Sequence, residues 1–182
     1  NLIVEQTQRL DSIIQNVRKA TRLPDPHFEL MPVGRILNDT LPLVEPLIDK
    51  SDVTIEVASG SSASFVYADR YRIQTALLNI IQNSIEAMPD GGTIVIRAED
   101  DFASRTVKIQ VSDDGDGIEP DLLKKVCEPF FSSHHDEGLR GLGLAIVSDI
   151  VKVHDGRMEI HSTPGLGTKV VLCLRMADNT AA

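Results

Sequence analysis

LLNIIQNSIEAMPDGGTIVI, residues 77–96, decides the fold. Its first half continues an apolar set at three- and four-residue steps, Ile73, Ala76, Leu77, Ile80, Ile81, Ser84 and Ala87, which predicts one long helix from about Asp69 to Met88. Pro89-Asp90-Gly91-Gly92 stops that helix with strong turn chemistry. A strand follows at once, from Thr93 to Ala98, and a second one from Thr106 to Ser112 carries Val107, Ile109 and Val111 on one face. The two read as a hairpin.

Upstream, Val53, Ile55 and Val57 alternate with polar residues as a half-buried strand, and GSSAS at 60–64 is a loop. Ile36, Leu37, Leu41, Val44 and Leu47 give helical spacing between Val33 and Asp49, interrupted by Pro42. Downstream, residues 115–138 show little periodicity, 142–154 predict a second good helix, and 157–161 and 168–174 predict two closing strands joined at Pro164-Gly165-Leu166-Gly167. Antiparallel strands with helices between them predict an α+β fold, a two-layer sandwich with helices on one face of a mixed sheet. The opening stretch, Leu2 to Arg22, shows one apolar helical face (Ile3, Leu10, Ile13, Ile14, Val17, Ala20) that Pro24 and Pro26 end. The expected organisation is a separate helix at 1–23, a linker and packing segment at 24–50, the main domain at 51–176 and a tail at 177–182.

Composition bounds the chemistry. Acidic residues outnumber basic ones, 27 to 18, for a formal charge of −9, which argues against nucleic acid as a partner because phosphate backbones need basic surfaces. An anionic ligand must then be held by backbone amides or a metal. With no Trp and 4% aromatic residues, the core has to be aliphatic. Cys127 and Cys173 lack metal-ligand spacing and form no disulfide framework, so the reading is two reduced thiols in a cytoplasmic setting. No apolar run is long enough to span a bilayer, although the start at Asn1 leaves room for a membrane segment elsewhere in a longer parent protein.

Three local patterns carry chemistry. On the long helix Arg72, Thr75, Asn79, Asn83 and Glu86 share the stripe opposite the apolar face. Asn is a poor helix-interior residue, and two of them four apart are surface neighbours. They read either as a solvated polar face or as carboxamide oxygens turned to a ligand or a hard cation. Next, Val111-Ser112-Asp113-Asp114-Gly115-Asp116-Gly117-Ile118 ends a strand in a glycine turn that lets backbone approach a flat ligand. As a calcium loop it fails, because position twelve from Asp113 is Lys124 and not Glu. Finally, Gly138-Leu139-Arg140-Gly141-Leu142-Gly143-Leu144 opens a helix, whose free amides make an anion site.

Taken in order, these pieces resemble the catalytic ATP-binding domain of sensor histidine kinases, on the Bergerat fold shared with gyrase-, Hsp90- and MutL-type ATPases. The resemblance runs from about Phe65 to Leu174: residues 77–96 look like the N box, VSDDGDGIEP the first glycine box, CEPFFSS the F box and RGLGLAIVSDIVKVHDG the second glycine box.

The resemblance implies ATP and Mg2+ as ligands. By it, Asn83 is the Mg2+ ligand with Asn79 one turn before it and Glu86 beside them. Asp113 accepts from the adenine amino group, Thr168 assists through a water, and Gly115, Gly117 and Ile118 border the base. Residues 118–140 form a lid anchored by Phe130 and Phe131, Arg140 meets the γ-phosphate, and the amides of Gly141, Leu142, Gly143 and Leu144 hold phosphates. Leu139 stands where the family usually has glycine, and His134 and His135 where many relatives carry Lys or Arg. In ATPase relatives a Glu occupies the place of Asn79. Asn has no carboxylate to act as general base, so ATP would wait for an outside nucleophile.

In the family that nucleophile is a histidine on a helical hairpin. Residues 2–23 look like the hairpin's second helix, and none of the five histidines stands in an H-box. The expectation is a kinase domain that binds Mg-ATP without phosphorylating itself, belongs to a homodimeric parent, and feeds a response regulator receiver domain. A GHKL-type ATPase and a nucleotide-binding scaffold are the alternatives.

Overall fold

The computed structural model describes residues 25–49, 51–58, 64–128 and 141–177. The expected helix at 2–23 lies outside them. Strand β1 (Glu29–Pro32) runs directly into helix α1 (Val33–Ile48), followed by β2 (Val53–Val57), β3 (Phe65–Ala68), α2 (Arg70–Glu86), β4 (Gly92–Asp101), β5 (Thr106–Asp113), the one-turn helix α3 (Pro120–Leu123), α4 (Gly143–Val153), β6 (Arg157–Thr163) and β7 (Gly167–Arg175). Five strands form one sheet in the order β2-β4-β5-β7-β6, with β2 parallel to β4 and every other pair antiparallel. The mixed sheet and the α+β class are as the patterning predicts.

Period-two alternation builds one face of that sheet into the core. Ile94, Ile96 and Ala98 of β4, Val107, Ile109 and Val111 of β5, and Val170, Leu172 and Leu174 of β7 are all buried. The helices cover them with Ile73, Leu77, Ile80 and Ile81 from α2 and Val147, Ile150 and Val151 from α4. The core is aliphatic throughout, as the composition requires.

Helix α1 continues through Pro42 and Pro46. Both prolines, and Asn38 one turn before Pro42, lie on the exposed side of the helix, while Ile36, Leu37 and Val44 stay buried. Two elements escaped the sequence reading. A separate ribbon pairs β1, inside the stretch read as linker, with β3, between the loop at 60–64 and the helix, Leu30 opposite Tyr67. In the span read as aperiodic, α3 adds a single turn. No described helix is long and apolar enough to cross a membrane.

Buried His154 ties the two central helices together. Its Nδ1 donates to the Ile150 carbonyl (2.7 Å) and its Nε2 accepts from the Asp69 amide (3.0 Å), which defines the neutral ring. Burial pushes its pKa below the ordinary imidazole value, against the opposing hydrogen bond to Ile150 and the charge of Asp69. Asp69 in turn caps α2 by accepting from the Arg72 amide (3.1 Å).

Candidate functional site: a cleft between two helices and the sheet end

A cleft of about 300 Å3 opens where α2, the β5 end, the β6–β7 turn and the start of α4 meet. Ile80, Ile118, Leu122, Val126, Leu144 and Val170 supply its apolar wall; Asn83, Ser84, Asp113 and Thr168 contribute polar groups, and Glu86, Asp116 and Glu119 line it too. Such a mixture, mostly apolar with a few convergent polar atoms, suits a flat organic ligand with a charged end.

Asp113 is held from three sides. Ser84 Oγ donates to its Oδ2 (2.7 Å), while the amides of Gly115 (3.2 Å) and Thr168 (2.9 Å) donate to Oδ1. Oδ2 thus keeps acceptor capacity toward the cleft. Thr168 Oγ1 pairs with Ser162 Oγ (2.8 Å), which accepts from the Ile118 amide (2.8 Å). The Asp113–Ile118 loop is therefore clamped to the β6–β7 turn, a clamp closed again by the Gly165 amide donating to the Asp116 carbonyl (2.7 Å).

The glycines of that loop do different jobs. Gly117 has φ +71°, and a Cβ there would collide with the Thr163 carbonyl oxygen, so the turn admits only glycine. Gly117 and Ile118 line the cleft. Gly115 does not: it packs on the end of α2, where a Cβ would stand 2.5 Å from the Ala87 carbonyl oxygen.

Across the cleft the asparagine pair meets the start of α4. A Cβ on Gly143 would lie 3.2 Å from Oδ1 and Nδ2 of Asn83 and 3.4 Å from Oδ1 of Asn79. Asn79 Nδ2 donates to the Thr75 carbonyl (2.8 Å), which leaves its oxygen turned toward that glycine. Leu142 at the start of α4 gives no side-chain cap, in contrast to Asp69 on α2, and amides at a helix start suit an anion. Gly141, Gly143 and Leu144 line the cleft, and exposed Glu86 stands on its rim. Asn79 and Leu142 are not among the residues that line it. Phe130, Phe131 and Arg140 lie outside the described residues.

Sequence reasoning placed Ser84 on the apolar face of its helix and gave Ser162 no role. Ser84 is indeed buried, but its hydroxyl is aimed at Asp113. Buried Ser between Ile80 and Ile81 on one side and Ala87 on the other was the one available signal.

The sequence model of histidine kinase-, DNA gyrase B- and HSP90-like ATPases matches residues 68–178, the stretch that contains every part of this cleft. The chain belongs to that family. Among its relatives, sporulation kinase E of Bacillus subtilis (strain 168) is 30% identical over 181 residues, which are 98% of this chain and 24% of that protein. The chain thus spans about a quarter of that relative's length. Among solved structures, the catalytic domain of the histidine kinase ThkA, nucleotide-free, superposes with a TM-score of 0.71 at 27% identity, over 82% of this chain and 95% of that one. ThkA in complex with the response regulator TrrA matches over 100% of this chain and 51% of that chain, with a TM-score of 0.70 and 26% identity. The family's fold and the histidine kinase branch of its relatives agree with the element order found here.

Proposed function

We propose that this ATPase-family domain binds Mg-ATP and serves as the catalytic domain of a sensor histidine kinase. The observation that carries the reading is the Asp113 carboxylate. It is fixed by Ser84, Gly115 and Thr168 at the wall of an apolar cleft whose opposite end is an uncapped helix start. A carboxylate so placed accepts from an exocyclic amino group, as adenine presents and guanine does not at that position. Thr168 supports it, and Gly117, Ile118 and the apolar wall take the base.

The phosphates then fall to the amides of Gly141, Leu142, Gly143 and Leu144, with Arg140 as a further cation. Among the described residues no three His, Cys, Asp or Glu side chains cluster as metal ligands. The donor set still fits Mg2+, which prefers oxygen ligands and is usually shared between one or two protein groups and the substrate phosphates. Asn83 would hold it through Oδ1, with Asn79 and Glu86 beside it. Bound there, Mg2+ neutralises phosphate charge.

Asn79 and Asn83 carry no proton-accepting group, so the domain positions ATP for an acceptor histidine and does not activate water. None of the five histidines in these 182 residues stands in an acceptor box, so this stretch binds ATP without labelling itself. The acceptor histidine, a homodimeric parent, relay to a response regulator and a cytoplasmic location complete the reading. So does the division at 23, 50 and 176.

Calorimetric titration of Mg-ATP into the wild type and Asp113→Asn tests it. A charged hydrogen bond is worth about 1.5–3 kcal/mol, so the variant should bind roughly one to two orders of magnitude more weakly. Equal affinities would overturn the adenine assignment.

A further inference from the structure

Around Asp113 the hydroxyl protons can be placed from partners of fixed polarity. Ser162 of β6 and Thr168 of β7 stand opposite each other in register, both half-buried. Ser162 Oγ has three neighbours: the Ile118 amide nitrogen (2.8 Å), the Gly167 carbonyl oxygen (3.0 Å) and Thr168 Oγ1 (2.8 Å). An amide N–H only donates and a carbonyl oxygen only accepts. Ser162 therefore accepts from Ile118 and spends its single proton on Gly167. The third contact is then satisfied only when Thr168 donates to Ser162. The reverse direction would leave the serine oxygen and the Gly167 carbonyl facing each other, lone pair to lone pair, at 3.0 Å.

Across the corner, Ser84 donates to Asp113 Oδ2 (2.7 Å), because a carboxylate only accepts. The amides of Gly115 and Thr168 are taken up by Asp113 Oδ1. Ser84, Asp113 and Thr168 line the cleft, whereas Ser162 does not. What these three side chains offer a ligand is thus a set of lone pairs, and the proton of Thr168 is held by a residue outside the lining.

A wall of acceptors selects a ligand edge that brings donors. An amino group at position 6 of a purine does so, while an oxo group there sets lone pairs against lone pairs. Polar atoms left unpaired against the wrong ligand give a hydrogen-bonding site its discrimination. Asp113 supplies part of that choice unaided. Thr168 does not, since an untethered hydroxyl donates or accepts as its ligand requires.

We propose that Ser162 is a positioning residue that sets nucleotide specificity. By taking the proton of Thr168 it makes that hydroxyl an obligate acceptor, and so sharpens the preference of the cleft for a 6-amino over a 6-oxo purine nucleotide. This role rests on the reading of the cleft as an adenine site.

The test is amide NMR titration of the full 182-residue chain with Mg-ATP and with Mg-ITP, its 6-oxo counterpart, read as the ratio of the two dissociation constants. The wild type should bind Mg-ATP more tightly. Ser162→Ala releases the Thr168 proton to meet an oxo group, so the preference should fall at least about threefold, within the range of one neutral hydrogen bond. Ser162→Thr keeps a hydroxyl and should restore the preference. In a Thr168→Val background, Ser162→Ala should leave the ratio where it was. A serine that only braces the loop would weaken both nucleotides alike. An unchanged ratio therefore overturns the proposal, as does a change that persists without the Thr168 hydroxyl or that Ser162→Thr fails to reverse. Should Ser162→Ala lose its dispersed spectrum, Ser162→Cys, whose sulfur accepts only weakly, must lower the preference in its place. Binding of neither nucleotide to the wild type overturns the adenine reading and this role with it; binding with an unaltered ratio overturns the role alone.

Discussion

Ser84 Oγ and Asp113 Oδ2 meet at 2.7 Å across 29 residues of sequence, joining the helix that carries the asparagines to the strand that carries the acid. Removing the hydroxyl leaves the carboxylate with its two amide donors but frees one oxygen to turn. Ser84→Ala should therefore weaken Mg-ATP binding several-fold, less than Asp113→Asn, in line with a net hydrogen-bond worth of about 0.5–1.5 kcal/mol. Titration calorimetry of the two variants side by side checks the order.

Gly143 separates fold from ligand binding. Gly143→Ala places a methyl group 3.2–3.4 Å from the carboxamides of Asn83 and Asn79 at the helix start. Ala is the better helix former by about 1 kcal/mol, so thermal unfolding without ligand should be unchanged or slightly raised. Mg-ATP affinity should fall. A variant that binds as wild type would remove the asparagine pair and this helix start from the phosphate site.

Gly117→Ala has the opposite profile. The new Cβ meets the Thr163 carbonyl at a φ of +71°, so the loop must shift. Strain of this kind costs on the order of 1–3 kcal/mol, and the denaturation midpoint should drop accordingly, along with nucleotide binding. Urea unfolding followed by circular dichroism measures it.

His154 makes stability depend on pH. Its folded pKa lies below the ordinary imidazole value, so the unfolded chain binds the proton more readily. The contribution is present above about pH 6.5 and is lost as pH falls toward the folded pKa, because a protonated Nε2 would point a hydrogen at the Asp69 amide. The stability difference between wild type and His154→Gln should shrink as pH is lowered from 7.5 to 5. A difference that stays constant would show that the ring is not the titrating group.

Much of this site is readable from sequence because its demands are local. A glycine that must take φ +71°, or an asparagine pair one helical turn apart, leaves its mark within a few residues. Ser84 was illegible for the converse reason: its burial mimics a core position and its partner lies 29 residues away. The β1–β3 ribbon was missed because four residues per strand give only Met31 against Val66 and Ala68 as a buried pattern. Pro42 interrupts the helical pattern of α1, yet the helix runs on because Pro42, Pro46 and Asn38 one turn before Pro42 all lie on its exposed side. Strand β4 runs on to Asp101, three residues past the expected Ala98, because Glu99 and Gln110 pair across the hairpin where apolar alternation has ended.

Ile80 belongs to two surfaces at once, the sealed interior and the wall of the cleft. Occupancy and folding are therefore linked by mass action: a ligand at a hundred times its dissociation constant raises the unfolding free energy by about 2.7 kcal/mol. A truncation such as Ile80→Ala should lower both the melting temperature of the empty protein and the increment that nucleotide adds to it. The resting domain and the loaded domain are in that sense two proteins of different durability, and the cell's nucleotide level sets which one it keeps.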